Sequence, residues 1–218
     1  MKVDRDSLEH LQPTEALVQV HHAHLRHEGI ALLHLRGHRT MIGAERPRVQ
    51  VESVLRGEVF SVERLRFTDD AGREISRHIV RHPGAVVVVP VLDDGRLVMI
   101  RNHRVAVGAW LREFCAGKLE KGEPPAAAAG RELVEETGHD AAEIRELGSF
   151  YTSPGFADEL MHAFEARALR TVPRRLEAGE RIEVEIVAPE ELEAMIRDGR
   201  VRDGKTIAAF ALWRLSRP

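Results

Sequence analysis

Residues 84–91, GAVVVVPV, constrain the fold more than any other stretch of the chain. A strand with one wet face alternates apolar and polar residues, whereas an unbroken apolar run of this length has to be covered on both faces. The run predicts a central strand with a layer on each side. Asp93-Asp94-Gly95 reads as a hairpin turn, and residues 97–101 return as the next strand. Residues 126–137 read as a helix, with Pro125 suited to its first position and Gly138 to its stop. Further strands are expected near 147–151, 160–166 and 182–187. Pro189 opens a helix with Leu192, Met195 and Ile196 on one face and Gly199 at its end, and a last helix spans about 205–215. Helices and strands in mixed order predict an α/β sandwich built on an open mixed sheet.

Two segments precede that domain. Within residues 48–82, the apolar positions Val49, Val51, Val62, Leu65, Phe67, Ile75 and Ile79 fall in strand-length runs. Turns at Arg56-Gly57 and at Asp69 to Gly72 separate the runs. This predicts a small antiparallel sheet whose apolar face has to be covered by the main domain or by a second subunit. Residues 1–47 hold seven of the twelve histidines, among them His21, His22, His24 and His27. No second ligand cluster sets a geometry there, so the segment reads as an extension and not as a transition-metal site. The expected organisation is therefore 1–47 extension, 48–82 small sheet serving dimerisation, and 83–218 main domain.

The net charge of −3 gives no electrostatic reason to expect nucleic acid or an anionic membrane as partner. Positive charge is carried mainly by arginine, which grips phosphate through two nitrogens at once. Cys115 is the single cysteine, which excludes an internal disulfide. With no apolar targeting segment at the N-terminus, the expected location is the cytoplasm.

The chemistry concentrates in residues 117–138. Ala126, Ala129, Gly130 and Leu133 follow helical spacing and predict the core face of the helix. Glu132, Glu135 and Glu136 share another face, where each like-charged pair costs roughly a few tenths of a kcal/mol without a counter-charge. Glu120 and Glu123, in the glycine-punctuated loop before the helix, add to that charge. A hard divalent cation resolves the repulsion. Magnesium, or manganese in its place, takes oxygen ligands and keeps positions open for substrate phosphates.

This segment resembles the signature of the Nudix hydrolases: Gly, five residues, Glu, seven residues, then Arg-Glu-aliphatic-x-Glu-Glu-x-Gly-aliphatic. Gly117, Glu123, Arg131, Glu132, Leu133, Glu135, Glu136 and Gly138 meet it, and only the final aliphatic position departs, as His139. The resemblance implies a Nudix-type α/β/α sandwich that hydrolyses nucleoside diphosphates linked to a second group. From about residue 49 onward, the ADP-ribose pyrophosphatase group is the best match. That likeness implies that the carbonyl of Ala116, with Glu132 and Glu136, holds metal, and that Glu135 supports or shares it. It implies that Arg104, at the end of Arg101-Asn102-His103-Arg104, contacts substrate. Arg101, Glu113, Ser153 and Gly155 are further substrate-binding candidates. Glu159 and Glu180 are the two candidates to orient or deprotonate the attacking water.

Glu113-Phe114-Cys115-Ala116-Gly117 resembles the group's Glu-Phe-Pro-Ala-Gly, with Cys115 in place of proline and read as a small buried hydrophobe. The implied reaction converts ADP-ribose to AMP and ribose 5-phosphate. The alternatives are a pyrophosphatase for another nucleotide sugar such as GDP-mannose, or a regulator that binds ADP-ribose without cleaving it. A homodimer is implied, with the small sheet pairing or swapping between subunits. Residues 199–206, GRVRDGKT, also match the phosphate-loop pattern letter for letter. That match is rejected, because the segment follows a helix and not a buried strand.

Overall fold

The computed structural model describes residues 49–176 and 181–217. The histidine-rich extension and Glu180 lie outside them. The described residues pack as one unit. Its first three strands, β1 (Gln50–Arg56), β2 (Ser61–Thr68) and β3 (Glu74–Arg81), form the expected small antiparallel sheet. The register places Val51, Leu65, Phe67, Ile75 and Ile79 on one face. Val62 lies on the other face, paired with Val80. All of β1 is exposed, including Val51 and Leu55, so an apolar sheet edge stays uncovered in the single chain.

The next strand, β4 (Ala85–Pro90), is buried from end to end. Val87 and Val89 enter one apolar cluster, and Val86 and Val88 enter another on the opposite face. Two-sided burial explains the unbroken valine run. The chain continues through β5 (Leu97–Arg104), β6 (Ala109–Glu113), β7 (Ala116–Lys118), α1 (Pro125–Glu132), β8 (His139–Tyr151), β9 (Leu160–Thr171), β10 (Ile182–Val187), α2 (Pro189–Arg197) and α3 (Gly204–Leu215). The main sheet is mixed, in the order β7-β4-β9-β8, with β4 and β9 parallel. Against one face lie Ala128 and Ala129 of α1 and Leu133 directly after it. Against the other lie Leu192 and Met195 of α2 and Ala209, Phe210 and Trp213 of α3. This is the expected sandwich.

Several details differ from expectation. The strand after the Asp93-Asp94-Gly95 turn does not extend the main sheet. β5 pairs with β10 and β6 in a separate antiparallel sheet, and only Val91 and Leu97 bridge at the turn. Pro90 ends β4 and has no N–H to carry the ladder onward. β8 begins at His139 and so is longer than expected, with a bulge between Glu146 and Gly148. Ala126 is exposed, and Ala128 takes its place in the core. After Glu132 the helix widens into a π-turn over Leu133–Thr137 before Gly138, with φ of 70°, stops it. Such π-turns concentrate at functional sites because they shift the side chains that follow them around the helix axis.

Candidate active site

Gly117 and the end of α1 set the geometry of the acidic helix. A Cβ built on Gly117 would stand 1.8 Å from Oε1 of Glu132. Glycine is thus required for the Glu132 carboxylate to lie across the β7 backbone. Glu136, four residues on, accepts a 2.8 Å hydrogen bond from the Ala116 amide. Glu132 and Glu136 are both buried. Arg131 supplies the counter-charge: Nε and Nη2 donate to Glu123 at 3.0 Å each, and Nη1 donates to Glu132 at 2.7 Å and Glu135 at 3.0 Å. The hydrogen bonds to Glu123 raise the arginine's pKa above its ordinary value and hold Glu123 below the usual carboxylate range.

Facing these acids is a basic wall. Arg104, at the end of β5, donates from Nε (2.8 Å) and Nη2 (2.6 Å) to the two carboxylate oxygens of Glu113 at the end of β6. Glu113 is completely buried and also accepts from Lys205 Nζ at 2.6 Å. Lys205 in turn lies 3.0 Å from Asp203, whose other oxygen caps α3 through Thr206. The pairing with Glu113 raises the pKa of Arg104.

Glu132, Glu136, Arg131, Arg104 and Lys205 line one cavity of about 400 Å³, together with Ala116, Gly117, His82 and Glu159. The loop bearing Glu159 is tied to the end of β3. Arg81 bridges to Asp158, the His82 amide donates to Asp158 at 2.9 Å, and Val80 bonds Phe156. Thr152 donates to Glu159 Oε2 at 2.7 Å, and Glu159 Oε1 lies 3.7 Å from His82 Nδ1.

The structure thus brings Ala116, Glu132, Glu136, Arg104 and Glu159 to one place. Glu135 stays on Arg131. Glu113 does not line the cavity; it holds the two cations from behind. Arg101 is turned away from Arg104 by strand alternation. It binds Glu183 at 2.7 Å and lies over the ring of Trp110. Ser153 and Gly155 are not among the lining residues, and the Ser153 carbonyl is engaged by the amides of Phe156 and Ala157. Cys115 is fully buried, and burial pushes its thiol well above the ordinary range, as suits a core hydrophobe. Sequence reasoning missed Lys205 and His82. The signal for Lys205 was Gly204-Lys205-Thr206, set aside together with the phosphate-loop match.

Among the described residues, no three His, Cys, Asp or Glu side chains already stand together as a metal cluster. The donor set nonetheless fits a hard cation. Its atoms are carboxylate oxygens, and the cradle at Gly117 admits a carboxylate that any side chain there would displace.

The NUDIX domain model matches residues 81–210. The chain belongs to the Nudix family. Across 80% of its length, this Nudix protein is 38% identical to 96% of an ADP-ribose pyrophosphatase of Bacillus subtilis (strain 168). It is 36% identical to a methanol dehydrogenase activator of Bacillus methanolicus, over 78% of this chain and 94% of the relative. A solved ADP compounds hydrolase superposes with a TM-score of 0.69 at 24% identity, covering 79% of this chain and 94% of that one, which establishes the fold. The chain is a Nudix pyrophosphohydrolase. Among its described residues, no helix is long and apolar enough to cross a membrane.

Proposed function

We propose that this Nudix protein hydrolyses the diphosphate of ADP-ribose to AMP and ribose 5-phosphate, with magnesium, or manganese in its place, as the metal. The observation that carries the reading is the single cavity in which the buried acids Glu132 and Glu136 face Arg104 and Lys205. The name and extent of the Bacillus subtilis relative support the substrate. Glu132, Glu136 and the carbonyl of Ala116 would hold the metal, with Glu135 kept in reserve on Arg131. When bound, a divalent ion offsets phosphate charge and lowers the pKa of water beside it.

The chain's own residues supply the rest. Glu113 aligns Arg104 so that its third nitrogen, Nη1, meets a phosphate oxygen as charge develops there. Glu159 orients the attacking water and takes its proton, with its carboxylate steadied by Thr152. Arg131 keeps the glutamates from repelling one another before the metal arrives and competes with it for Glu132.

The exposed edge and apolar side chains of β1 support a homodimer assembled through the small sheet of residues 48–82. Light scattering at micromolar concentration should return twice the chain mass, and a monomer would remove this part of the reading. The substrate is tested by kcat/KM for ADP-ribose against GDP-mannose. A preference for GDP-mannose would keep the mechanism and replace the substrate. The Bacillus methanolicus relative is named as an activator of another enzyme, which favours regulation as a second reading. Binding of ADP-ribose without turnover would select it.

A further inference from the structure

A second cavity, of about 470 Å³, lies beyond the first, and the two share Glu159, Met161 and Lys205 as lining residues. The reading above accounts for the first cavity alone, although its substrate has two bulky ends. A diphosphate held near Glu132 and Glu136 across a divalent ion, with the basic wall on its other side, would reach the boundary where Lys205 stands. Lys205 is well placed to act there. Its side chain is 13% exposed, so most of its flexibility has already been lost, and Glu113 and Asp203 hold its ammonium at 2.6 and 3.0 Å. A lysine braced in this way meets an anion with little further ordering. Glu113 and Asp203 offset the charges of Arg104 and Lys205, and of these four groups the two cations are the ones that line the first cavity.

The walls of the second cavity suit a ring bearing hydroxyls. Tyr151, Thr152 and Asp203 provide hydrogen-bonding groups, and Phe150, Met161 and Ala208 provide apolar surface. Its size falls within the range of small-ligand pockets. Gly204, on its rim, leaves the space next to α3 open, since a Cβ built there meets no atom within 4 Å.

Resting on the pyrophosphohydrolase reading, we propose that Lys205 grips the diphosphate at the junction of the two cavities, and that the second cavity receives the sugar on the side away from the nucleoside. Lys205 is then a substrate-binding residue, and Gly204 sets how large that sugar can be.

Lys205→Met, Lys205→Arg and Gly204→Leu test the proposal in the full chain, with thermal melting as the check on folding. Binding of inorganic pyrophosphate with magnesium, measured by calorimetry, reads the phosphate role whatever the natural substrate. Lys205→Met should weaken it at least tenfold, and Lys205→Arg should restore most of it. Wild-type pyrophosphate affinity in Lys205→Met would overturn the role of the lysine. Gly204→Leu removes no ion-pair partner, and a Cβ there meets no atom within 4 Å, so it stays informative even if Lys205→Met does not fold. It should raise KM for ADP-ribose about tenfold with kcat little changed, and the ratio of activities on ADP-ribose and GDP-ribose should stay fixed. An unchanged KM, or a shifted base preference, would overturn the sugar assignment. Should the wild type fail to cleave ADP-ribose yet bind pyrophosphate through Lys205, the proposed substrate falls and the lysine's role stands.

Discussion

Gly117→Ala should separate activity from stability in this protein. The built Cβ stands 1.8 Å from Oε1 of Glu132, 2.0 Å from its Cδ and 2.5 Å from Oε2. Ordinary contact begins near 3.4 Å, so the carboxylate has to retreat by more than about 1 Å. The backbone of Gly117 is that of a paired strand residue opposite Val86, so alanine adds no backbone strain. The atoms in the way are the far end of a flexible side chain, which can swing toward Arg131. The cost in stability should therefore stay near the low end of overpacking, about 1 kcal/mol. Function should suffer far more. A displacement of about 1 Å in a reacting constellation lowers the rate roughly a hundredfold, and Glu132 is a proposed metal ligand. Initial rates across a magnesium titration, with thermal melting in parallel, make the comparison. A hundredfold fall in kcat/KM with a melting point only a few degrees lower is the expected result. Wild-type rates at the same magnesium concentration would refute the placement of Glu132 at the reacting centre.

Other consequences follow from single side chains. Glu113→Gln removes the buried anion that holds Arg104 and Lys205, and should destabilise the chain by about 3 kcal/mol in urea unfolding while raising KM. Glu159→Gln should lower kcat about a hundredfold and leave KM nearly unchanged, as expected of a residue that acts on water and not on substrate binding. Glu165 reports on pH. Burial would raise its pKa, but hydrogen bonds from Arg167, Arg145 and the Trp213 indole outweigh burial and bring it to about 2 from 4.5. A depressed carboxylate contributes its stability above the unfolded value and loses it as pH falls through the folded one. About 3 kcal/mol should thus be present above pH 4.5 and disappear progressively between about 4.5 and 2. Glu165→Gln should flatten that stretch of the stability–pH curve, and an unaltered curve would contradict the assignment.

Residues whose role is local were legible in the sequence. The valines of β4 announced two-sided burial because each face of the strand is recorded in its own alternate positions. Gly117, Glu132, Glu136 and Gly138 announced the acidic helix because one turn and one helix fix their relations. What depended on distant partners was not legible. Arg101 and Arg104 sit three residues apart in the same motif, and only the position of Glu113 across the β5–β6 pair decides which of them faces the cavity. Glu113 itself looks like a substrate contact until its burial behind two cations is seen. Lys205 was hidden because the letters around it match a different motif, and its use follows from α3 packing beside β6 through Thr206 and the Phe114 amide. β8 was underestimated because much of it is only half covered and Gly148 breaks its alternation.

Release of AMP from ADP-ribose, followed with and without magnesium for the wild type and for Glu136→Gln, tests the central claim most directly. Metal-dependent AMP release, reduced about a hundredfold or more in the variant, is the predicted result. Equal rates in the variant, or release that ignores the metal, would contradict the assignment of chemistry to the acidic helix.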